Sequence, residues 1–395
     1  MNRISIESKD ETMKVGILTH FHKSINYGGV LQAYALCKFV NNAGHDCRQI
    51  LYIPSVTSIT NSSLTVEDVF RKLVSRFSKK LHKKKNCNIK ARMELLFVDF
   101  RESVPHTDRE YTREDIADTN EIFDAFITGS DQVWNPIWYD PTYFLDFVKG
   151  DIPKISYASS IGISELDDEQ KKVFKKHLTP FQALSVREKS AASVLTPLVE
   201  RKLDVSVDPT LLLSVDDWDE IATDRKINER YVFLYALGDD IKIRKLAAGF
   251  AKHKGMKFVM IPDLLGAYRR KDRRIQAQKI LDATPEDFIS LIKHAEYVFT
   301  DSFHACVFSL LYKRDFFAFP RKGGIEMNSR ILDLTDMFRC RERFLDEKEY
   351  MNLQYLLSMH SINYSKSFEL FDHEKQKSLD YLETCLFRQR SHPKS

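Results

Sequence analysis

Short apolar runs alternate with segments of helical periodicity along most of the chain. The first run, Lys14–Thr19, is followed after a loop by Val30–Val40, where apolar residues recur at helical spacing. A further run, His45–Ile53, predicts the next strand. Because strands that alternate with helices build parallel sheets covered by helices on both faces, this opening predicts a doubly wound α/β sheet.

The alternation continues and restarts once. The remaining strands of the first series are predicted at Ala125–Thr128, Ile155–Ser159, Ala183–Val186 and Val205–Val207. Those of the second series are predicted at Tyr231–Leu237, Phe258–Ile261, Tyr297–Thr300 and Phe316–Phe319. A polar, aspartate-rich stretch separates the two series. Since one domain commonly holds about 100–200 residues, the 395 residues predict two Rossmann-like domains that face each other across a cleft.

The domain boundaries follow from these patterns. We expect a disordered leader, an N-terminal domain, a C-terminal domain, and a helical C-terminal segment with a tail, at residues 1–12, 13–213, 214–345 and 346–395. The polar leader lacks the apolar stretch of a secretory signal, and no apolar run approaches the ~18 residues of a membrane span. We therefore expect a cytoplasmic protein. The six cysteines form no CxxC pair, so a disulfide framework or zinc site is not expected.

The loop after Tyr297–Thr300 carries the most specific pattern. Asp301 and Ser302 are suitable N-caps for the next helix, and His304 falls in its first turn. The unpaired N–H groups and the dipole of a helix N-terminus favour an anion. The alternative is that Asp301 and Ser302 only cap the helix and that His304 is a surface or packing histidine.

The loop between the first strand and the first helix offers groups that suit sugar hydroxyls. Its candidate ligands are Asn26, Tyr27, Gly28 and Gln32, where the glycine would let a ligand approach the backbone closely. His20 and His22 can share a metal only in an extended segment. A plain turn between a strand and a helix is the alternative.

Polar and cationic groups follow three other strands. The segment GSDQVWNP places Asp131, Gln132 and Asn135 beside aromatic rings, which suits either a sugar ring or loop packing. At another strand end, Arg187 can hold a carboxylate or phosphate through two parallel hydrogen bonds, or pair with Glu188. Three further cations, which either line an anion site or face water, are Arg321, Lys322 and Arg330.

Residues 69–92 contain a strongly basic segment. Residues 71–92 contain ten lysines and arginines and no acidic residue, and Val69, Leu73, Phe77 and Leu81 recur every four residues. This pattern predicts a basic amphipathic helix over residues 69–92, which either packs on its own domain or contacts an anionic membrane surface. The net charge of +4 does not indicate a nucleic-acid partner.

As a set, several segments resemble the polysaccharide pyruvyl transferase family. They run in order from about Lys14 to Arg343 and include NYGGVLQAYAL, AFITGSDQVWNP, ISYASSIG, LSVREKSAASVL, VDPTLLL, VFTDSFHACVFSLL and NSRI. The resemblance implies a GT-B-like pair of Rossmann-type domains, with the acceptor on the N-terminal side and the donor on the C-terminal side. It also implies phosphoenolpyruvate as co-substrate, a sugar of a cell-surface polysaccharide or its lipid-linked precursor as acceptor, a pyruvate ketal as product, and no metal or cofactor.

The resemblance also implies residue roles. By similarity, His304 is the catalytic histidine, Arg187 binds the donor anion, and Asn26 belongs to the acceptor loop. Many members carry an arginine two residues before this histidine, where this chain has Ser302. We therefore expect donor binding by Arg187 with Asp301, Ser302, Arg321, Lys322 and Arg330, and acceptor binding by Asn26, Tyr27, Gly28, Gln32, Asp131, Gln132 and Asn135.

Two other functions remain as alternatives. A nucleotide-sugar-dependent GT-B glycosyltransferase would use a helix N-terminus for phosphates and release a nucleotide rather than phosphate. A non-catalytic glycan-binding relative, which the serine at position 302 leaves open, would bind glycans and form no product.

Overall fold

Two parallel sheets organise the described part of the chain. The computed structural model describes residues 12–55, 91–238, 240–262, 272, 275–321, 328–349 and 352–387. The predicted leader up to residue 11, most of the basic segment 69–92, Lys322 and the tail from residue 388 lie outside these residues.

The first sheet is built from the N-terminal half. Its strands are β1 (Lys14–Leu18), β2 (Asp46–Gln49), β3 (Ala125–Thr128), β4 (Lys154–Ser156), β5 (Leu184–Val186) and β6 (Leu203–Val205). The first four pair in the order β2-β1-β3-β4, and β5 pairs with β6. All these pairs are parallel. Hydrogen bonds such as Ser156 N to Ala183 O, 3.0 Å, join β4 to the chain entering β5.

The second sheet is built from the C-terminal half. Its strands are β7 (Tyr231–Tyr235), β8 (Lys257–Ile261), β9 (Gln278–Lys279), β10 (Tyr297–Thr300) and β11 (Asp315–Ala318). They are ordered β11-β10-β7-β8-β9, again all parallel. The prediction of two doubly wound α/β halves is confirmed. The separate sheets agree with a boundary near residue 213, and the four domain limits stay a prediction.

Helices cover the sheets and begin at the expected local signals. In chain order they are α1 (Tyr27–Asn42), α2 (Asp168–Leu178), α3 (Lys189–Leu195), α4 (Val215–Asp219), α5 (Ile241–His253), α6 (Pro285–Lys293), α7 (Phe303–Leu311), α8 (Ser329–Met337), α9 (Leu353–Ser358) and α10 (Tyr364–Phe387). Residues 91–103 are also helical. Capping boxes start α2 at Asp167 and α6 at Thr284, because each side chain accepts from the third helical N–H and the third side chain returns the bond. None of the described helices is both long and apolar enough to cross a membrane.

The two halves meet through a buried apolar interface that fixes the cleft between them. Tyr27 of α1 stacks on Phe288 of α6 with ring centroids 4.8 Å apart. Trp218, in the polar, aspartate-rich stretch between the two series, is fully buried. Its ring lies 5.7 Å from Tyr34 of α1 and 4.9 Å from Phe308 of α7. Burial of these rings makes the connection between the halves part of the core.

The C-terminal helix returns to the first half. In α10, the Ser378 hydroxyl accepts from Val207 N at 3.0 Å, and the Tyr381 hydroxyl donates to Ser156 O at 2.8 Å. The prediction that this segment is helical is confirmed by α9 and α10. The return of the chain ties the ends of β4 and β6 to the last element of the second half.

Candidate active site

A cavity of about 250 Å³ lies where the strand ends of the two sheets face each other. One wall comes from the loops after β1 and β3 and contains His20, Asn26, Asp131, Gln132 and Trp138. The other wall comes from the loops after β7, β10 and β11 and contains Leu237, Ser302, Phe303, His304, Arg321 and Arg330. The carboxyl ends of parallel strands are where ligands bind in such sheets.

His304 lies at the N-terminus of α7 and is held from both sides of the cleft. It is 7% exposed, and its Nε2 is 3.6 Å from Oδ2 of Asp208, which follows β6. Gly28 packs directly on its ring, since a Cβ added there would lie 1.9 Å from His304 Nδ1. A role of Gly28 in acceptor binding stays a prediction. The group that approaches its backbone is the imidazole, and glycine is required because no side chain fits.

Asp208 connects His304 to a buried polar network. Its carboxylate accepts from Arg187 Nη1 at 2.7 Å, Ser130 Oγ at 3.2 Å and Thr210 N at 3.0 Å. Burial favours the neutral acid, yet the charges of His304 and then Arg187 hold the pKa of Asp208 well below its ordinary value. The ionised carboxylate is thus a counter-ion for the imidazolium form of His304.

Arg187 supports the site from behind rather than lining it. Its side chain is 3% exposed, and besides Asp208 it donates from Nε to Glu188 at 3.2 Å. Burial opposes the charge, but the carboxylates of Glu188 and Asp208 raise the pKa of Arg187 above its ordinary value. Its guanidinium carbon lies 4.7 Å from the Phe303 ring centroid. Two carboxylates thus pair with Arg187, its Nη2 has no hydrogen-bond partner among the described residues, and donor binding by Arg187 stays a prediction.

Arg330 is the buried cation that faces the cavity. It is 9% exposed. Among the described residues, no carboxylate forms an ion pair with it, and its Nε–H has no acceptor. Gln132, on the opposite wall, accepts from its two terminal nitrogens at 3.3 and 2.9 Å when the amide oxygen faces it. Burial, and then the positive charge of Arg187, lower the pKa of Arg330 to about 10. An anion in the cavity would relieve both effects.

Asp301 and Ser302 act differently from the prediction that either caps α7. The Asp301 carboxylate accepts from Leu237 N at 2.8 Å and Gly238 N at 2.6 Å, so it fixes the loop after β7 instead of binding a donor anion. Ser302 occupies the N-cap position without a side-chain capping bond. Arg321 donates from Nη2 to the Asp301 carbonyl at 2.8 Å, which holds this second cation on the cavity wall.

On the N-terminal wall, an imidazole and a carboxylate lie together. His20 Nδ1 is 3.8 Å from Asp131 Oδ2, and Asp131 has a left-handed backbone with φ of 72°. Burial would raise the pKa of Asp131, but its interaction with His20 and the charges of Arg187 and His304 hold it well below its ordinary value. Asn26 reaches the cavity and also caps α1 by accepting from Gly29 N at 3.3 Å.

Three predicted acceptor ligands lie away from the cavity. Tyr27 is buried between the halves, and its hydroxyl donates to the Ala283 carbonyl at 2.9 Å. Gln32 donates to Thr19 Oγ1 at 3.0 Å, and Asn135 accepts from Ile137 N at 3.0 Å to cap a short 3₁₀ helix. Their placement is corrected for a common reason. Each polar group already forms a hydrogen bond, within its own half or to the other half, that holds it away from the cavity.

Several site residues were not predicted. His20 was considered only for a metal shared with His22, whereas His22 pairs with Glu110 at 3.0 Å. The described residues contain no group of three or more His, Cys, Asp or Glu side chains that could hold a metal, and independence from metal stays a prediction. The other unpredicted residues are Asp208, Leu237 and Phe303. For Asp208 a signal existed, since a lone aspartate directly follows a strand in VDPTLLL.

The family model for polysaccharide pyruvyl transferase matches residues 26–323 of this chain. The chain belongs to the polysaccharide pyruvyl transferase family. It is accordingly a transferase of polysaccharide biosynthesis, as the resemblance of its segments implied. The match covers His304, Asp208 and Arg187, whereas His20 and Arg330 lie outside the matched residues.

Comparison with curated proteins gives no significant match. Among solved structures, the S. aureus MnaA–UDP co-structure is similar at 11% identity and TM-score 0.56, over 97% of this chain and all of that one. UDP-GlcNAc 2-epimerase from Neisseria meningitidis bound to UDP-GlcNAc is 11% identical, with 94% and 99% covered and TM-score 0.48. The glycosyltransferase SnogD from Streptomyces nogalater is 11% identical, with 95% and 98% covered and TM-score 0.42. The first likeness confirms the GT-B-like arrangement of the fold.

Proposed function

We propose that this chain transfers the pyruvyl group of phosphoenolpyruvate to a sugar of a cell-surface polysaccharide or its lipid-linked precursor. The product would be a pyruvate ketal bridging two sugar hydroxyls, with release of phosphate. Arg330 carries the proposal, as a buried guanidinium without a carboxylate partner among the described residues that lines the same cavity as His304. A cavity with that surplus of buried positive charge favours a small, multiply charged anion.

The C-terminal wall suits the donor. Arg321 and Arg330 offer guanidinium groups that match phosphate or carboxylate oxygens. The first turn of α7 adds backbone N–H groups that the Ser302 side chain does not cap. We assign donor binding to these two arginines and this helix N-terminus. They take the place of the arginine that Ser302 replaces, and Lys322 stays a candidate outside the described residues.

The chemistry requires a proton donor at the methylene carbon of the donor. In the proposed reaction His304 protonates that carbon, C2 becomes electrophilic, and a sugar hydroxyl forms the first C2–O bond. The bond from C2 to the phosphate oxygen then breaks, and a second hydroxyl closes the ketal. The methylene gains one proton, two hydroxyls lose one each, and hydrogen phosphate leaves, so atoms and charge balance. Asp208 keeps a counter-ion beside the imidazolium.

The experiment combines donor binding with product analysis. The protein is incubated with phosphoenolpyruvate or with a panel of nucleotide sugars, together with glycosides that carry neighbouring hydroxyl pairs. We expect thermal stabilisation by phosphoenolpyruvate, phosphate release that depends on acceptor, and a glycoside mass increased by one ketal. Stabilisation by a nucleotide sugar with nucleotide release would replace this function by glycosyl transfer. Glycan binding without product under every donor would support the non-catalytic alternative.

The acceptor's delivery is a separate proposal. Residues 71–92 carry ten lysines and arginines and no acidic residue, which suits an anionic membrane surface that holds a lipid-linked glycan. We expect the protein to co-sediment with vesicles rich in phosphatidylglycerol at low salt and to be released at high salt. Replacement of Lys83, Lys84 and Lys85 by glutamine should weaken this binding. Equal recovery with neutral and anionic vesicles would contradict the proposal.

A further inference from the structure

Two imidazoles line the same cavity, one from each half of the protein. His304 lies in the first turn of α7, which follows β10, and His20 lies in the loop after β1. The proposed reaction, on which this inference rests, needs two kinds of proton transfer. One group must give a proton to the donor's methylene carbon, and another must take a proton from the sugar hydroxyl that attacks C2. His304 can fill only the first role at that moment.

His20 is held firmly at the acceptor wall. The preceding residue, Thr19, donates to the Ser130 carbonyl at 2.7 Å and accepts from Gln32 at 3.0 Å. This bond ties together the loops that follow the paired strands β1 and β3, one residue before His20 and Asp131. The His20 ring also meets the edge of the Tyr143 ring, with centroids 5.0 Å apart at 88°. The imidazole is therefore preorganised rather than loose.

Asp131 is positioned to orient that imidazole. Its oxygen lies 3.8 Å from His20 Nδ1, and its φ of 72° places a non-glycine residue in the left-handed region. Such backbone conformations are sparsely populated, cost about 1 kcal/mol or more, and cluster at functional sites. The 3.8 Å separation is an ion-pair distance, and a carboxylate that closes to hydrogen-bond distance of one ring nitrogen fixes the tautomer so that the other nitrogen can accept a proton.

No other group on this wall is as suitable a proton acceptor. Amides such as those of Asn26 and Gln132 do not accept a proton near neutral pH, and the Trp138 indole N–H already donates to the Gln132 carbonyl at 3.3 Å. Asp131 is a weak base because its pKa is held low. The titratable groups on the facing wall are Arg321, Arg330 and His304, each of which is cationic when protonated.

We propose that His20 is a second catalytic residue, the general base that deprotonates the acceptor hydroxyl, with Asp131 as its positioning residue. The first hydroxyl proton moves to His20 as oxygen bonds to C2, and passes on to solvent, which reprotonates His304. The second hydroxyl proton leaves with the phosphate as hydrogen phosphate. His20 lies outside the residues matched to the family, so the matched span does not assign it this role.

The test compares His20→Gln with His22→Gln in the full-length protein. His22 lies two residues away on the same loop, but it pairs with Glu110 and does not line the cavity. With phosphoenolpyruvate and a working acceptor, we expect kcat of H20Q to fall by ~10²–10⁴-fold, the range typical of a lost general base. H22Q should stay within about threefold, and both variants should keep the wild-type affinity for phosphoenolpyruvate and its melting temperature.

The pH profile separates a base from a merely structural residue. Activity that needs an unprotonated base declines on the acidic side, so the ionisation that His20 adds to the acidic limb of kcat/KM should be lost in H20Q, and the donor's own ionisation should remain in both enzymes. D131N should lower kcat less than H20Q and shift that limb.

The outcomes are distinguishable. If the wild-type protein turns over and H20Q retains near-normal kcat, only the assignment of His20 is overturned. The same holds if H20Q retains the ionisation that His20 is expected to add to the acidic limb of kcat/KM. If H20Q loses phosphoenolpyruvate binding as well, a base role is also overturned. If the wild-type protein forms no ketal with any acceptor, the proposed function fails, and this inference fails with it.

Discussion

The two walls of the cavity differ in whether their charged side chains have partners of opposite charge. On the N-terminal wall, His20 is matched by Asp131 at 3.8 Å, and the remaining lining groups are amides and an indole. On the C-terminal wall, Arg330 is buried with no carboxylate paired to it in the described residues. The Asp301 carboxylate accepts from the backbone N–H groups of Leu237 and Gly238 and also forms an ion pair with Arg321 at 3.5 Å, so on this wall the charge of Arg330 is the one left unbalanced among the described residues.

This difference teaches how one cavity can hold two unlike substrates. An unbalanced cationic wall attracts an anion, whereas a balanced polar wall with an aromatic ring suits a neutral sugar that offers hydroxyls. Each of the following experiments tests whether the C-terminal wall binds the anionic donor and the N-terminal wall binds the sugar.

The largest effect is expected for His304, which lies on the C-terminal wall and contacts Gly28 of the N-terminal half. For His304→Gln we expect kcat for phosphate release to fall by ~10²–10⁴-fold, because no acid is left to protonate the methylene carbon. Affinity for phosphoenolpyruvate, measured by calorimetry, should change little, because both arginines remain. His294→Gln is the control, since that ring donates from Nδ1 to the Ser290 carbonyl at 2.9 Å, at the end of α6. Equal activity of the two variants would remove His304 from the chemistry.

The next effect concerns the contact that brings the walls together. Gly28→Ala places a Cβ 1.9 Å from His304 Nδ1, so the ring must move, and we expect a loss of activity of about 100-fold, as for a reacting group misplaced by about 1 Å. Gly249→Ala, also in a helix, meets Leu353 at an ordinary 3.6 Å and should be neutral or stabilising by up to ~1 kcal/mol. Full activity of G28A would show that the imidazole is not fixed by this contact.

A third prediction compares two buried arginines. Arg330→Met should weaken phosphoenolpyruvate binding by ~10–100-fold, since a charged hydrogen bond contributes ~1.5–3 kcal/mol, and should leave stability unchanged or raised. Arg244→Met removes an arginine that is paired with buried Asp272, and should cost ~3–5 kcal/mol of unfolding free energy without a direct effect on the donor. Urea unfolding and calorimetry separate the two. Strong destabilisation by R330M would mean that its charge is already compensated.

The smallest effect at neutral pH concerns the balanced wall. The folded pKa of Asp131 is depressed, so its contribution to stability is present above the unfolded value of about 3.9 and is lost as pH falls through the folded value. Each unit of depression corresponds to ~1.4 kcal/mol. Asp131→Asn should therefore be less stable than wild type at pH 5, and this difference should shrink below about pH 4. Urea unfolding at several pH values measures it, with exposed Asp168→Asn as control. A difference that grows toward low pH would contradict the depressed pKa.

Much of the fold was predictable because the local patterns are strong. The strands β3 and β10 have the predicted bounds. The strand β2 is shorter than the predicted His45–Ile53, since pairing with β1 ends where the chain turns toward residues 105–111. The strand β9 was missed, because two residues are too few to show a periodicity.

The site was predicted less completely than the fold. Placement on the cavity wall was correct for His304, Arg321 and Arg330, because each follows a strand end where ligands bind. Arg187 and Tyr27 do not line the cavity although they also follow strands. A sequence shows which loop carries a polar group, but it does not show whether a buried partner such as Asp208 or Ala283 already satisfies that group.

By itself, the sequence determined the two βα series, the loops that hold the candidate site, and the helix N-terminus with its histidine. These features depend on residues close together along the chain, where periodicity and capping act. The tertiary structure alone decided that Arg330 rather than Arg187 faces the cavity, that Gly28 touches His304, and that His20 meets Asp131. Those contacts join residues more than 100 positions apart, and their charges are compensated, or left uncompensated, only when the two sheets pack together.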